Sequence, residues 1–140
     1  MSIDLNGAMI AIIGGNSPCR QILEVLLGPE LAELSIKILL VADPLAGLEG
    51  MEYARKNGVK TTSDYNDVLK LAQPDLILKL KNDEALLPVL DQIDTRQIRV
   101  LDMDEYESMG FLNFLEAEQE KIRIRQKIRT EPLDREQIIQ

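Results

Sequence analysis

The sequence predicts an α/β protein: a doubly wound, parallel, five-stranded sheet of order 3-2-1-4-5 with an added C-terminal helix. Three observations carry that reading. Short apolar runs rich in β-branched residues recur without the apolar–polar alternation of a half-exposed strand, as strands covered on both faces do. Segments with helical start and stop residues lie between them, which calls for right-handed crossovers and parallel pairing. The first run, residues 9–13, leads through Gly14 and Gly15 into a helix, the opening of a βαβ unit.

In that first unit Ser17 followed by Pro18 reads as an N-cap with proline in the first turn. The helix runs on through Ile22, Leu23 and Leu26 and stops at Gly28 and Pro29. Residues 36–43 make the second strand, which ends on Asp43 before Pro44. A short amphipathic helix over 48–57 is closed by Gly58, and 59–62 form a brief third strand. Ser63 and Asp64 cap a helix over 65–71, and residues 76–81 are the fourth strand. Asn82 and Asp83 start a helix toward Leu90 in which Pro88 forces an early end, and 98–103 are the fifth strand.

From Asp104 the character changes. Residues 105–129 hold no proline and one glycine, with an acidic block followed by a basic one. Phe111, Leu115 and Ile122 follow helical spacing, with Glu118 interrupting the stripe. Glu118 with Lys121 and Glu120 with Arg123 form i,i+3 pairs. Residues 121–125 also alternate with period two, so a strand is the alternative there; the flanking Glu and Gln residues point to helix. The part past Glu116 is too polar for a core and reads as a projecting or connecting helix, and residues 131–140 as a loosely structured tail.

Composition sets limits on function. The 140 residues suit one domain with a genuine core. A net charge of −8 opposes a phosphate backbone, so nucleic acid is not an expected partner. The single Cys19 forms no internal disulfide and fits a reducing compartment. No apolar run is long enough to span a bilayer, so the expected location is cytoplasmic, with no membrane partner. Histidine is absent, which removes imidazole bases and, with one cysteine, a structural zinc site.

The turn after the first strand carries the functional signal. Against the dinucleotide fingerprint G-x-G-x-x-G it offers Gly14, Asn16 and Cys19: the first glycine kept, the second and third replaced. Gly14 and Gly15 are read either as a phosphate-binding turn or as a tight βα turn alone. Cys19 is either a thiol activated at a helix N-terminus or a small packing residue. Asp43 is a ligand-binding strand end or an Asx turn before Pro44. Lys79 and Lys81 alternate in a strand expected to be buried, so one of them belongs at the C-terminal edge, where Lys81 either meets an anion or reaches out to water.

With Ile12, Ile13, Gly14 and Gly15, residues 41–44, 53–65 and 74–78 on the page, the chain resembles the Rossmann-type N-terminal domain of the glucose–fructose oxidoreductase and inositol dehydrogenase group. It looks closer still to a Rossmann-like module placed ahead of bacterial sensor kinases, in which a cysteine precedes the helix as Cys19 does here. The resemblance covers about residues 8–103. It implies a Rossmann-like domain over 1–104, a dimerisation or connector helix over 105–130, and NAD as cofactor, with another nucleotide or anion as the alternative. Gly14, Gly15 and Asn16 would line the pyrophosphate, flanked by Ser17 and Cys19. Asp43 would take the ribose hydroxyls and so favour NAD over NADP. The dehydrogenases follow this domain with a substrate-binding one, for which little more than one helix remains here.

The expected function is therefore a non-catalytic regulatory or sensory domain of a bacterial signalling protein that binds a small-molecule ligand. Its last helix would serve a following domain or partner protein. The alternative is an NAD-dependent oxidoreductase whose substrate site comes from a partner subunit. A homodimer through residues 105–129 is expected, because that helix begins with more apolar surface than one covering role needs.

Overall fold

The computed structural model describes residues 3–130, so the expected tail lies outside the described residues. Five strands, β1 (Met9–Ile13), β2 (Lys37–Ala42), β3 (Thr61–Thr62), β4 (Leu76–Lys79) and β5 (Arg99–Asp102), form one sheet of order β3-β2-β1-β4-β5. Every pairing is parallel. The register aligns Ala42, Ile13, Lys79 and Asp102 in one row at the C-terminal edge. Residues just beyond that row, Asp43, Gly14 and Lys81, are thereby gathered at the crevice mouth.

Successive side chains of β1 enter opposite cores. Ile10 and Ile12 join Val41, Leu76 and Leu78 on one face, and Ala11 and Ile13 join Leu40, Ala42 and Ile77 on the other. Both faces are apolar, which is why the sequence shows no alternation. The first face is covered by α1 (Ser17–Leu26), α2 (Glu49–Lys56) and α5 (Glu105–Thr130). The second is covered by two single-turn helices, α3 (Asp67–Lys70) and α4 (Leu87–Leu90). This is a Rossmann-like doubly wound domain.

Four elements differ from the sequence reading. The helix expected over 65–71 with caps at Ser63 and Asp64 is only the single turn α3, preceded by Asn66, which makes no side-chain cap bond. The helix expected from Asn82 is a 3-10 turn, Glu84–Leu86, followed by α4 with Pro88 in its first turn. Pro88 lacks the N–H that a continuous helix through this point needs. A 3-10 turn at Glu30–Leu34, unexpected from the sequence, buries Leu31 after α1. Residues 121–125 are helical, and the end of α5 does not project. Ile122 is fully buried, while Arg123 and Arg129 reach Glu30 and Glu33. Both expected i,i+3 pairs form.

Residue Asp104 opens α5 with a capping box. Its carboxylate accepts the Glu107 N–H at 2.8 Å, and the Glu107 carboxylate accepts the Asp104 N–H at 3.5 Å. From there α5 lies against α1, and Phe111, Leu115 and Ile122 enter the same core as Ile22 and Leu23.

Candidate functional site

The site is the β1–α1 turn and the strand ends around it. Gly14 has φ 111°, a conformation that favours glycine, and its N–H donates to the Ala42 carbonyl at 2.9 Å. A Cβ there would stand 3.3 Å from Leu80 Cβ and 3.4 Å from Lys81 Cγ. Gly14 thus serves both the turn and the passage of β4's continuation over it. At Gly15 a Cβ would run into the Met51 side chain of α2.

Asn16, not Ser17, caps α1. Its backbone is extended and its Oδ1 accepts the Cys19 N–H at 3.1 Å. Its Nδ2 donates to the Leu80 carbonyl at 3.2 Å, tying the cap to the end of β4. The longer carboxamide makes both bonds at once, which a serine hydroxyl at position 17 does not reach. Ser17 is exposed as the first helical residue.

Asp43 sits at the centre of these contacts and is 2% exposed. One carboxylate oxygen accepts the Gly15 N–H at 2.9 Å. The other accepts the Leu45 N–H at 3.0 Å and Lys81 Nζ at 3.0 Å. The Asx turn and the polar strand end are therefore one arrangement. Three donors of the crevice converge on an internal carboxylate.

Cys19 is fully buried between α1 and α2. Burial, with Asp43's negative charge, pushes its thiol up to about 12. At neutral pH it is a protonated packing group. The glycine that makes this fit possible is Gly50, in the first turn of α2, which the sequence reading passed over. Its N–H donates to the Gly15 carbonyl at 2.9 Å, and a Cβ there would meet Asn16 O, Gly15 O and Cys19 Cβ, each at 2.8 Å. A glycine so early in a helix, where propensity disfavours it, is the signal that could have marked the contact.

Two further polar clusters stand along the same edge. Lys79 Nζ donates to Asn82 Oδ1 at 2.6 Å and to Asp102 Oδ1 at 3.0 Å, so the buried lysine of β4 is satisfied. Tyr65 donates its hydroxyl to Asp83 at 2.9 Å; burial and that carboxylate raise the phenol's pKa. Beside Asp43, a cleft of about 210 Å³ opens at the ends of β2 and β3, walled by Pro44, Met51, Arg55, Thr61 and Thr62. Its position is where an α/β sheet of this order holds part of a ligand.

No family model matches the chain, and no curated protein matches it significantly. Among solved structures it is similar to glycinamide ribonucleotide transformylase 1 from Symbiobacterium toebii, at 17% identity and a TM-score of 0.41. That match takes in 56% of this chain and 46% of the transformylase chain, so it spans less than half of the latter's length. A likeness this low says nothing about function. Among the described residues no helix is long and apolar enough to cross a membrane.

Proposed function

We propose that this chain is a non-catalytic regulatory module of a bacterial, cytoplasmic signalling protein, of the kind placed ahead of sensor kinases. It binds a small anionic ligand, a nucleotide or another phosphate-bearing molecule, at Gly14–Cys19, Asp43 and Lys81. The observation that carries the reading is the convergence of the Gly15 N–H and Lys81 Nζ on one carboxylate at the crevice mouth. An incoming anion competes with Asp43 for donors already in place. The turn that would feel this begins α1, and α1 is packed against α5. A change at the turn thus has a short mechanical route to the terminal helix.

Seating NAD with its ribose on Asp43 fits poorly here, because that carboxylate is buried and bonded within the chain at both oxygens. A compact anion fits better. The ionisable groups at the mouth are held in pairs, Lys79 with Asp102, Lys81 with Asp43 and Tyr65 with Asp83, and Cys19 holds its proton. Groups so engaged with one another favour binding over catalysis. The same self-satisfied carboxylate favours a second reading, a scaffold with no ligand.

Calorimetric titration with inorganic phosphate, ADP, NAD and NADP tests this. Saturable binding that is weakened in Lys81→Met supports the module. Silence from all four at millimolar concentration leaves the scaffold. Turnover of NAD with a simple hydroxy or amino acid would move the assignment to the oxidoreductase.

A further inference from the structure

Lys81, Asn82 and Asp83 run from the end of β4 to the 3-10 turn at Glu84–Leu86 in no regular structure. Both ends of this stretch are fixed. Leu80 donates its N–H to the Ile13 carbonyl at 2.8 Å, and its own carbonyl accepts Asn16 Nδ2 at 3.2 Å. At the other end Leu86 is fully buried. Between those anchors the N–H groups of Lys81, Asn82 and Asp83 donate to no backbone carbonyl.

Side chains hold the stretch instead, one for each residue. Lys81 Nζ donates to Asp43 at 3.0 Å, Asn82 accepts Lys79 Nζ at 2.6 Å, and Asp83 accepts the Tyr65 hydroxyl at 2.9 Å. Backbone fastened only in this way opens without breaking a strand ladder. It also lies where a ligand would enter. Lys81 Cγ stands 3.4 Å from the place of a Gly14 Cβ, which roofs the glycine turn between β1 and β4, where the strand order reverses.

We propose that residues 81–83 are a strap drawn across the crevice, and that the Tyr65–Asp83 bond is the latch that sets how often the strap lifts to admit an anion. The proposal rests on the anion-binding reading of the crevice and adds how that site is regulated.

The three fastenings differ in what opening costs. Lys81 carries its charge on four flexible carbons, so its ammonium passes from Asp43 to an entering anion. Asp43 then keeps the Gly15 and Leu45 N–H groups. Lys79, when it loses Asn82, still has Asp102 at 3.0 Å. Tyr65 has no such second partner. It lies between β3 and α3, outside the crevice residues, and is 4% exposed, so lifting Asp83 strands a buried hydroxyl. Asp83 itself keeps the Ala85 N–H on its other oxygen.

Calorimetry with inorganic phosphate and with ADP tests the latch in the parent, Tyr65→Phe, Asp83→Asn and the double variant. Phenylalanine keeps the packed ring and the charge of the site and removes only the hydroxyl. Asparagine keeps an oxygen for the Ala85 N–H and acts from the partly exposed end of the bond. Closing reduces apparent affinity by the fraction of chains that are open, so Tyr65→Phe should tighten binding on the order of tenfold. The double variant should bind no more tightly than Asp83→Asn alone, because both changes break one bond. Binding by Tyr65→Phe where the parent shows none supports the strap most directly. A parent that binds and a folded Tyr65→Phe that binds equally or more weakly overturn the strap and leave the crevice reading in place, as do gains that add in the double variant. Silence from all four proteins at millimolar ligand overturns the crevice reading itself, and the strap with it.

Discussion

Lys81 reaches Asp43 by passing over Gly14. Its Nζ lies 3.0 Å from Asp43 Oδ1, and its Cγ would stand 3.4 Å from a Cβ on Gly14. The ends of β2 and β4 are thus joined across the end of the central strand. The two partners are unequal, because Asp43 keeps the Gly15 and Leu45 N–H groups when Lys81 is lost. Asp43→Ala should cost about 3–5 kcal/mol, since it strands a lysine and a buried N–H. Lys81→Met should cost distinctly less. Urea unfolding of the two variants decides this; equal losses would mean that the pair, not the backbone donors, holds Asp43.

Gly50 carries the contact between α2 and the β1–α1 turn. Gly50→Ala drives a methyl into two backbone carbonyl oxygens and Cys19 Cβ, none of which is the free end of a flexible side chain. Overpacking of this kind costs about 1–3 kcal/mol. Gly15→Ala meets the Met51 side chain instead, so Met51→Ala should recover part of that loss. It should recover nothing for Gly50→Ala. Thermal melts of the three single variants and the two doubles check the distinction.

The buried Cys19 predicts a base-side loss of stability. Its folded pKa is about 12 against an ordinary 9.0. Below pH 9 the thiol is protonated in both states and the stabilisation is complete. Between 9 and 12 the unfolded chain releases the proton while the folded chain keeps it, so stability falls as pH rises. The slope is on the order of 1 kcal/mol per pH unit. Cys19→Ala should remove that part of the slope, leaving the contribution of Tyr65, whose pKa is also raised. Native Cys19 should react with a disulfide reagent at pH 8 only as fast as the chain opens, and promptly in urea. Fast native labelling would contradict its burial.

The strand order and the βα unit were legible because they rest on local signals that all agree: apolar runs without alternation, glycines at the turn and Asp43 closing β2. What was not legible depends on which side chain wins a shared position. Asn16 displaces Ser17 as cap because it bonds a strand end 64 residues away as well as its own helix. Gly14, Gly15, Asn16, Cys19, Asp43 and Lys81 lie close together around the ends of β1, β2 and β4. The pattern did not reveal that Asp43 takes the donors for itself, since that is set by the reach of Lys81 over Gly14. Nor does a run of charges disclose its partners: the cations of α5 read as a projecting helix because their acids, Glu30 and Glu33, sit in a turn that has no periodic signature.

That docking of α5 makes the last prediction. Ile122 is buried against the same core as Ile22 and Leu23, and Arg123 bonds Glu30 at 3.0 Å beside it. The apolar contact should dominate. Ile122→Ala removes a fully buried side chain and should cost about 2–5 kcal/mol, whereas an ion pair open to solvent screening contributes little. Arg123→Ala should therefore shift the melt far less than Ile122→Ala. Its effect should also vanish in acid. The Glu30 carboxyl is held below its ordinary value by its own backbone hydrogen bond and by Arg123, so its contribution is present above the ordinary pKa of 4.5 and is lost as pH falls through the lowered folded value. Parent and Arg123→Ala should differ in full above pH 4.5 and converge only as the pH falls through the lowered folded value of Glu30. A chain ending at Asp104 should not fold as a monomer or as a dimer, because it lays open Phe111, Leu115 and Ile122's side of the core. A truncated chain with a cooperative melt like the parent's would show that α5 is an appendage and not a layer of the fold.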